Sequence, residues 1–386
     1  MRFRTRCIHV GNQRDQATGA VVPPVHLAST YVQPAAGEWG EFDYSRSGNP
    51  TRRNLETTLA SLESGVGALA FSSGMAAVHC ATMLCGQGDE IVAGSDIYGG
   101  TYRLLHKICT RSGIDTALVR TTDLAALESA LSDRTRLVWI ETPGNPLLSI
   151  TDIKACAELA HQHGALLAVD NTFATPALTR PLELGADIVM HSATKYLGGH
   201  SDALGGALVA NSQELLDELY FIQNATGATL ASWDAFLISR GIKTLELRVQ
   251  AQSETARQLA ERLDADDRVS RVLYPGLTGH PGYELAASQM QGGSGAMVSF
   301  EVTGGFDSAK SLVETTALFQ LAVSLGAVES LIEQPASMSH ASYDAEDRRR
   351  FGISDGLVRL SVGLEDLDDL WQDLDRALSP ETTRET

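Results

Sequence analysis

The sequence predicts an α/β protein whose main domain holds a mostly parallel sheet, with an N-terminal arm and a smaller α+β C-terminal domain. Strand-like apolar runs and helical segments alternate between about residues 68 and 210, which is the pattern of parallel strands joined by right-handed crossovers. After Leu230 the pattern changes to a long helix over residues 245–263, followed by short strands and turns. We therefore expect an arm over residues 1–60, an α/β domain over 61–240 and a C-terminal domain over 241–386.

Composition narrows the classes of partner. The 386 residues are 43% hydrophobic and 20% charged, which is typical of a folded globular protein, and carry a formal net charge of −18. So acidic a chain argues against nucleic acid and anionic membrane surfaces as partners. The five cysteines include no CxxC pair, so neither a disulfide framework nor a metal site is expected. Because the start of the sequence lacks an apolar signal region, we expect a cytoplasmic protein.

The arm is punctuated by Pro and Gly and shows no strong hydrophobic period, although it contains apolar and aromatic residues. Such a segment either is mobile or packs on another subunit, and its apolar content favours packing. Tyr44 and Arg46 are two residues apart, so in an extended segment their side chains point the same way. Together they can bind a phosphate group, although an ordinary surface position explains them equally well.

Two turns in the first half of the α/β domain offer ligand contacts. The predicted strand over residues 68–71 leads into a helix that starts near Gly74 and Met75, and backbone N–H groups at a helix start bind anions. The predicted strand over residues 90–93 leads to Tyr98, whose ring can stack on a planar ligand or simply pack.

Two further predicted strands end in polar side chains. Residues 137–140 precede a turn with Asn145, whose amide can donate to a ligand oxygen or shape the turn before Pro146. Residues 165–169 close on Asp170. An isolated aspartate at such a place is more often a turn or helix cap, so its meaning depends on what lies beside it.

A lysine directly after a buried strand is the central feature of the sequence. Ser192, Thr194 and Lys195 follow the apolar run 188–190 and precede a glycine pair. Most lysines are solvated, but here the hydroxyls can hold a phosphate, and a desolvated lysine can form a Schiff base with a carbonyl. Pyridoxal 5'-phosphate (PLP) carries both groups, and Asp170 would keep its ring nitrogen protonated. Parallel sheets bind ligands at the carboxyl ends of their strands, so the sequence predicts a PLP site there.

An arginine lies within the last predicted strand. Arg359 is flanked by apolar residues, and if it is buried it needs an anionic partner. A substrate carboxylate fits because arginine binds carboxylates through two hydrogen bonds. An outward-facing position in an alternating strand is the other interpretation.

Taken together, these stretches resemble the PLP-dependent enzymes of cysteine and methionine metabolism over nearly the whole chain. The stretches that carry the resemblance are residues 44–52, 98–101, 139–143, 169–173, 192–196, 329–331 and 359–366. Their joint occurrence in this order is specific for the family. The resemblance implies a fold type I PLP-dependent transferase-like fold and a homotetramer, a dimer of dimers with active sites shared across each dimer.

The resemblance also implies roles for particular residues. The implied catalytic residues are Lys195, which carries the cofactor and moves protons, Asp170, which pairs with the ring nitrogen, and Tyr98, which stacks on the ring. The implied cofactor contacts are Gly74, Met75, Thr172, Ser192 and Thr194, with Tyr44 and Arg46 reaching the phosphate of a neighbouring subunit. The implied holders of the substrate carboxylate are Arg359, Asn145 and Ser324.

Within the family, the sequence most resembles cystathionine γ-lyases. Residues 44–52 and 324–326 carry this resemblance, as does Glu333 before a Gln-Pro pair. Glu333 and Asp43 are expected to face the distal amino group of the substrate, and Arg103 its distal carboxylate. The expected reaction is α,γ-elimination of L-cystathionine to L-cysteine, 2-oxobutanoate and ammonia. Cystathionine γ-synthase and β-lyase activities are the alternatives, and a non-catalytic scaffold is disfavoured because it would need none of these residues.

Overall fold

The computed structural model describes residues 1–341 and 343–379, and its main sheet is the one that the sequence predicts. The seven strands of this sheet are β1 Gly67–Phe71, β2 Glu90–Gly94, β3 Asp115–Val119, β4 Thr135–Glu141, β5 Leu166–Asp170, β6 Ile188–His191 and β7 Gly206–Ala210. Their spatial order is β1-β7-β6-β5-β4-β2-β3, and all neighbours are parallel except β7, which runs antiparallel to β1 and β6. The predicted α/β class with a mostly parallel sheet is confirmed.

Helices cover both the arm and the faces of the sheets. In the arm and the first sheet region they are α1 Phe3–His9, α2 Pro50–Glu63, α3 Gly74–Thr82, α4 Gly99–Lys107, α5 Leu124–Ala130, α6 Ile153–Gln162, α7 Thr175–Leu178, α8 Gln213–Thr226 and α9 Ser232–Ile242, with 3-10 turns at Cys109–Ser112 and Pro181–Leu184. Later in the chain they are α10 Leu245–Asp264, α11 Tyr283–Gln289, α12 Gly305–Thr315, α13 Ala345–Phe351 and α14 Leu367–Leu378. No helix in these described stretches is long and apolar enough to cross a membrane.

The central strands are short continuous apolar runs because helices cover both faces of the sheet. Every residue of β6 is buried, as are the last four residues of β5. Asp170 pairs in register with Met190, so the ends of β5 and β6 lie side by side. This register brings the turn after each strand to the same edge of the sheet.

A second, smaller sheet contains the later strands. They are β8 Val269–Leu273, β9 Met297–Val302, β10 Gln320–Leu321, β11 Leu331–Glu333 and β12 Leu357–Ser361, in the order β10-β11-β12-β9-β8. Only β10 and β11 pair in parallel; the other neighbours are antiparallel.

One apolar core links the two sheets. It includes Val189 of β6, Val249 of α10 and Val298 of β9. The expected domain boundary near residue 240 falls within the last turn of α9, and the division into domains stays a prediction.

The arm lies largely on the outside of the chain. Between α1 and α2 it is mostly irregular, with an isolated bridge joining Thr30 to Tyr44. Several of its apolar side chains are open to solvent in the single chain, with Leu27, Val32 and Trp39 exposed by 74%, 99% and 75%. Such a surface is consistent with packing against another subunit, which stays a prediction.

Candidate active site

A cavity of about 460 Å³ opens at the carboxyl edge of the larger sheet and is closed on the other side by residues 323–341 and β12. The predicted site residues that line it are Gly74, Met75, Tyr98, Arg103, Asn145, Asp170, Thr172, Ser192, Thr194, Lys195, Ser324 and Arg359. The structure therefore gathers around one space residues that are widely separated in the sequence.

Lys195 lies in the tight turn that follows β6. Its backbone N–H donates to the Ser192 carbonyl at 3.1 Å, and its carbonyl accepts from Gly199 at 2.7 Å. The Lys195 Nζ donates to Ser324 Oγ at 2.5 Å. Burial, with a further contribution from the Arg359 charge, lowers the pKa of the Lys195 amine to about 8. A large share of this amine is therefore neutral, and able to accept protons, slightly above neutral pH.

Asp170 ends β5 and is buried at the base of the cavity. Its Oδ1 accepts hydrogen bonds from Thr172 Oγ1 at 2.6 Å and from Thr172 N at 3.0 Å. Thr172 Oγ1 in turn accepts from Ser192 N at 2.9 Å, which ties the turns after β5 and β6 together. Burial raises the pKa of Asp170, although the Thr172 hydrogen bonds act in the opposite direction. The His191 charge also lowers the pKa of Asp170, but it is the smallest of these effects, and a cationic ring nitrogen would favour the ionised carboxylate further.

The start of α3 faces the same cavity as the hydroxyls of Ser192 and Thr194. Ser73 caps this nine-residue helix by accepting from Ala76 N at 3.1 Å, and the first N–H groups of a helix have no partner within it. A Cβ on Gly74 would lie 3.0 Å from Ser192 Cβ, so the backbone approaches the second turn closely. These donors suit a phosphate.

Tyr98 stands between β2 and α4, with its side chain 43% exposed. A Cβ at Gly100 would lie 2.4 Å from Tyr98 Cε1, so the glycine leaves the space that the ring occupies. The backbone N–H of Tyr98 donates to Glu141 Oε2 at 2.8 Å.

Arg359 is buried in β12 and does not face outward, which decides between the two interpretations of this residue. Its Nη1 donates to Asn145 Oδ1 at 2.9 Å, and its Nη2 donates to the Ser324 carbonyl at 3.0 Å. Arg359 therefore joins the other two predicted holders of the substrate carboxylate, and Ser324 in turn contacts Lys195.

The position of Glu333 differs from the expectation that it faces the far end of a substrate. Its side chain is 1% exposed and is not part of the cavity lining; Glu333 Oε1 lies 3.0 Å from Arg359 Nη1. The cause is the register of β11 and β12, which places Glu333 directly opposite Arg359 and so on the same face of the sheet. Ser339 Oγ donates to the same carboxylate at 2.5 Å.

The arm residues lie outside the cavity of their own chain. Arg46 Nη1 donates to the carbonyl and to Oδ1 of Asn224, both at 2.7 Å, and its guanidinium lies 5.8 Å from the Tyr44 ring centroid. Tyr44 and Arg46 therefore share a side, as their spacing predicts. Their contact with a neighbouring subunit, like that of Asp43, stays a prediction.

The cavity also contains residues that the sequence reasoning did not single out, among them Ser73, Glu141, Phe173, Met338 and Ser339. Glu141 carried a usable signal, because it closes a buried strand as Asp170 does. Met338 and Ser339 could not be recognised from the sequence, because they lie in an irregular segment far along the chain that reaches the cavity only in the folded structure.

These residues fit PLP, on the chemistry of the donor set. An amine with a lowered pKa, a buried carboxyl with a raised pKa, an aromatic ring and a group of phosphate donors all surround one space of suitable size. Together with the fold, they define the class of fold type I PLP-dependent enzymes.

Comparison with known proteins identifies the family. The family model described as Cys/Met metabolism PLP-dependent enzyme matches residues 4–379, and the chain belongs to this family. A cystathionine β-lyase of Lactococcus lactis subsp. cremoris is 50% identical over 376 residues, covering 97% of this chain and 98% of that protein. A cystathionine γ-synthase of Mycobacterium bovis is 52% identical over 376 residues, covering 97% and 96%.

A solved structure supports the same assignment. The crystal structure of cystathionine γ-lyase from Lactobacillus plantarum complexed with L-serine has a TM-score of 0.95 and 45% identity, with 98% of each chain covered. The predicted fold type and the PLP cofactor are thus confirmed. The relatives have three different activities, and they define a PLP-dependent lyase or synthase acting on sulfur amino acids.

Proposed function

We propose that the protein is a carbon–sulfur lyase that cleaves L-cystathionine by α,γ-elimination to L-cysteine, 2-oxobutanoate and ammonia. The observation that carries this proposal is the position of Ser324, whose hydroxyl accepts from Lys195 Nζ at 2.5 Å while its carbonyl accepts from Arg359 Nη2 at 3.0 Å. A proton-transfer group and a carboxylate-binding group are thereby held at one point of the cavity.

Substrate orientation follows from the contacts of Arg359. Its guanidinium, with the Asn145 amide, binds the α-carboxylate of the amino acid, and this fixes the adjacent α-carbon toward Lys195. The L-serine in the Lactobacillus plantarum structure supports binding of an amino acid by such a site.

Proton transfer is the role that the position and pKa of Lys195 support. When bound, PLP supplies an electron sink for the carbanion that forms at the α-carbon, and Asp170 holds the proton of the ring nitrogen. Lys195 Nζ removes the α-proton, would pass it on to the bound cofactor and so become neutral again, and then removes a β-proton, which γ-elimination requires in addition. The Tyr98 hydroxyl returns a proton to the departing sulfur.

The far end of the substrate meets different groups. Arg103 lines the cavity and can bind the distal carboxylate. Since Glu333 is paired with Arg359, Asp43 from the arm of a neighbouring subunit is the better candidate for the distal amino group. This assignment requires the homotetramer with shared sites that the family resemblance implies, and we propose that the enzyme works in the cytoplasm.

γ-Synthase and β-lyase activities are supported by relatives of similar identity and use the same cofactor residues. A β-lyase removes only the α-proton before sulfur leaves from the β-carbon. A γ-synthase accepts an activated homoserine ester and joins it to cysteine.

Identification of the keto acid by mass spectrometry tests the proposal. The holoenzyme is incubated with L-cystathionine, with K195A as the matched inactive control. 2-Oxobutanoate with cysteine supports the γ-lyase. Pyruvate with homocysteine overturns it in favour of the β-lyase, and turnover only with an O-acylhomoserine plus cysteine overturns it in favour of the γ-synthase.

A further inference from the structure

Glu141 is a buried carboxyl group of the cavity that the steps above do not use. It is the last residue of β4, its side chain is 4% exposed, and it forms part of the cavity lining. Glu141 Oε2 accepts the backbone N–H of Tyr98 at 2.8 Å. A carboxyl group held in this way joins the end of β4 to the start of α4.

This hydrogen bond acts on the backbone that carries the Tyr98 ring. Tyr98 directly precedes α4, and its side chain makes no capping hydrogen bond to that helix. The ring itself is 43% exposed, so packing restrains it only in part. Tyr343 Oη donates to the carbonyl of Ile97 at 2.9 Å, one residue earlier, while Glu141 holds Tyr98 itself. Backbone anchoring therefore decides where the ring lies.

We propose that Glu141 is a positioning residue that fixes the backbone of Tyr98 and so holds the aromatic ring against the bound cofactor. The proposal rests on the ring-stacking role of Tyr98, and it does not depend on which sulfur compound the enzyme cleaves. Glu141 need not contact the reacting atoms to act in this way.

The charge of Glu141 adds a second, testable consequence. Asp170, Asp96, Tyr343 and Arg359 face it from β5, the turn after β2, the segment before α13, and β12. Burial and then the Asp170 charge raise its pKa well above the ordinary range, against the opposing effects of the Tyr98 N–H and Arg359. The uncharged form of Glu141 is thus favoured relative to a solvated carboxyl group, and its ionised form would add a negative charge to the cavity that receives the anionic PLP.

Two substitutions at Glu141 separate the anchor from the charge. E141Q keeps an oxygen that can accept the Tyr98 N–H but cannot ionise, whereas E141A removes the anchor. We expect E141A to raise the dissociation constant of PLP about tenfold, the usual size of a lost hydrogen bond to a buried group, and to reduce the circular dichroism of bound PLP. We expect E141Q to bind PLP like the wild type at the lowest pH at which the wild type binds it, and to lose less affinity for PLP than the wild type does as pH rises.

E56Q is the matched control. Glu56 Oε1 also accepts a backbone N–H, from Ala70 at 2.9 Å, and burial raises its pKa too, but it lies outside the cavity. The affinity of E56Q for PLP should fall with rising pH as it does in the wild type. If E56Q and E141Q change the pH dependence of PLP binding equally, the charge effect at Glu141 is overturned.

A double-mutant cycle tests whether Glu141 acts through Tyr98. In a Y98A background, E141A should change the dissociation constant of PLP by less than about twofold, because the ring to be positioned is gone. An undiminished tenfold effect in Y98A, or an unchanged dissociation constant and circular dichroism in E141A alone, overturns the proposal. Should E141A fail to fold, the affinity of E141Q for PLP decides. The glutamine oxygen can still accept the Tyr98 N–H, so a tenfold loss of affinity in E141Q would show that this hydrogen bond does not explain the role of Glu141, and would overturn the proposal. All of these readouts are independent of cystathionine turnover.

Discussion

The cavity has two walls that are built in different ways. On the wall from the larger sheet, Asp170 is the last residue of β5 and Lys195 lies in the turn after β6, and residues only two or three positions away hold both places. On the wall from the smaller sheet, Arg359 lies inside a strand, and its partners Asn145, Ser324 and Glu333 come from other parts of the chain. The first wall is formed by local structure, whereas the second exists only when both sheets have packed.

The two walls also differ in charge, and the second wall affects the first. Burial raises the pKa of the acids Asp170 and Glu141 on the first wall. The second wall contributes Arg359, whose charge helps to lower the pKa of Lys195 across the cavity. The pKa of Lys195 on the first wall therefore depends in part on the position of Arg359 on the second wall.

The largest effect is expected on the first wall. K195A should reduce release of keto acid by about 10²–10⁴-fold, the usual contribution of a positioned proton-transfer group, because no other described group of the cavity is placed to take both protons. The measurement is steady-state keto acid formation with PLP in excess, and circular dichroism confirms that the variant is folded. Near-normal turnover in K195A would remove Lys195 from the mechanism.

On the second wall, binding and stability should be lost together. R359M leaves Glu333 buried without its cation, so the free energy of unfolding should fall by about 3–5 kcal/mol. R359M/E333M removes both charges and should recover most of this stability, while KM for the amino acid stays high in both variants. Urea denaturation and keto acid kinetics measure the two effects. Equal stability of R359M and the wild type would contradict a buried ion pair.

The same difference between the walls explains what could be predicted from the sequence. Asp170 and Lys195 are recognisable because each comes at the end of a buried strand, and such a strand is visible in the sequence as a short apolar run. The partner of Glu333 is not recognisable, because it depends on the register of a three-residue strand with β12. The start of α2 shows a local limit too: its buried leucines Leu55, Leu59 and Leu62 do not mark the first residues of the helix, which Asn49 caps at Pro50.

The influence of the second wall on the first should appear as a pH dependence. Only a neutral amine attacks the PLP carbonyl, so reconstitution of the apoenzyme should quicken about tenfold per pH unit below the Lys195 pKa of about 8 and level off above it. R359M removes one of the two causes that lower this pKa, so its midpoint should move to higher pH. Stopped-flow absorbance measures the rates, and a lysine peptide corrects for ionisation of free PLP. A midpoint that R359M leaves unmoved would show that the walls are independent.

If the arm of another copy of the chain forms a third wall, as we propose, its contribution is the smallest that can be isolated. If Arg46 reaches the phosphate in a neighbouring cavity, R46A should bind PLP about tenfold more weakly. Mixed dimers of R46A and K195A would then contain one intact cavity, made from the Lys195 of one subunit and the Arg46 of the other. Random mixing should restore up to about one quarter of wild-type activity, since half of the dimers are mixed and each has one working site of two. Mixtures no more active than their separate components would place Arg46 in its own subunit's surface contact with Asn224.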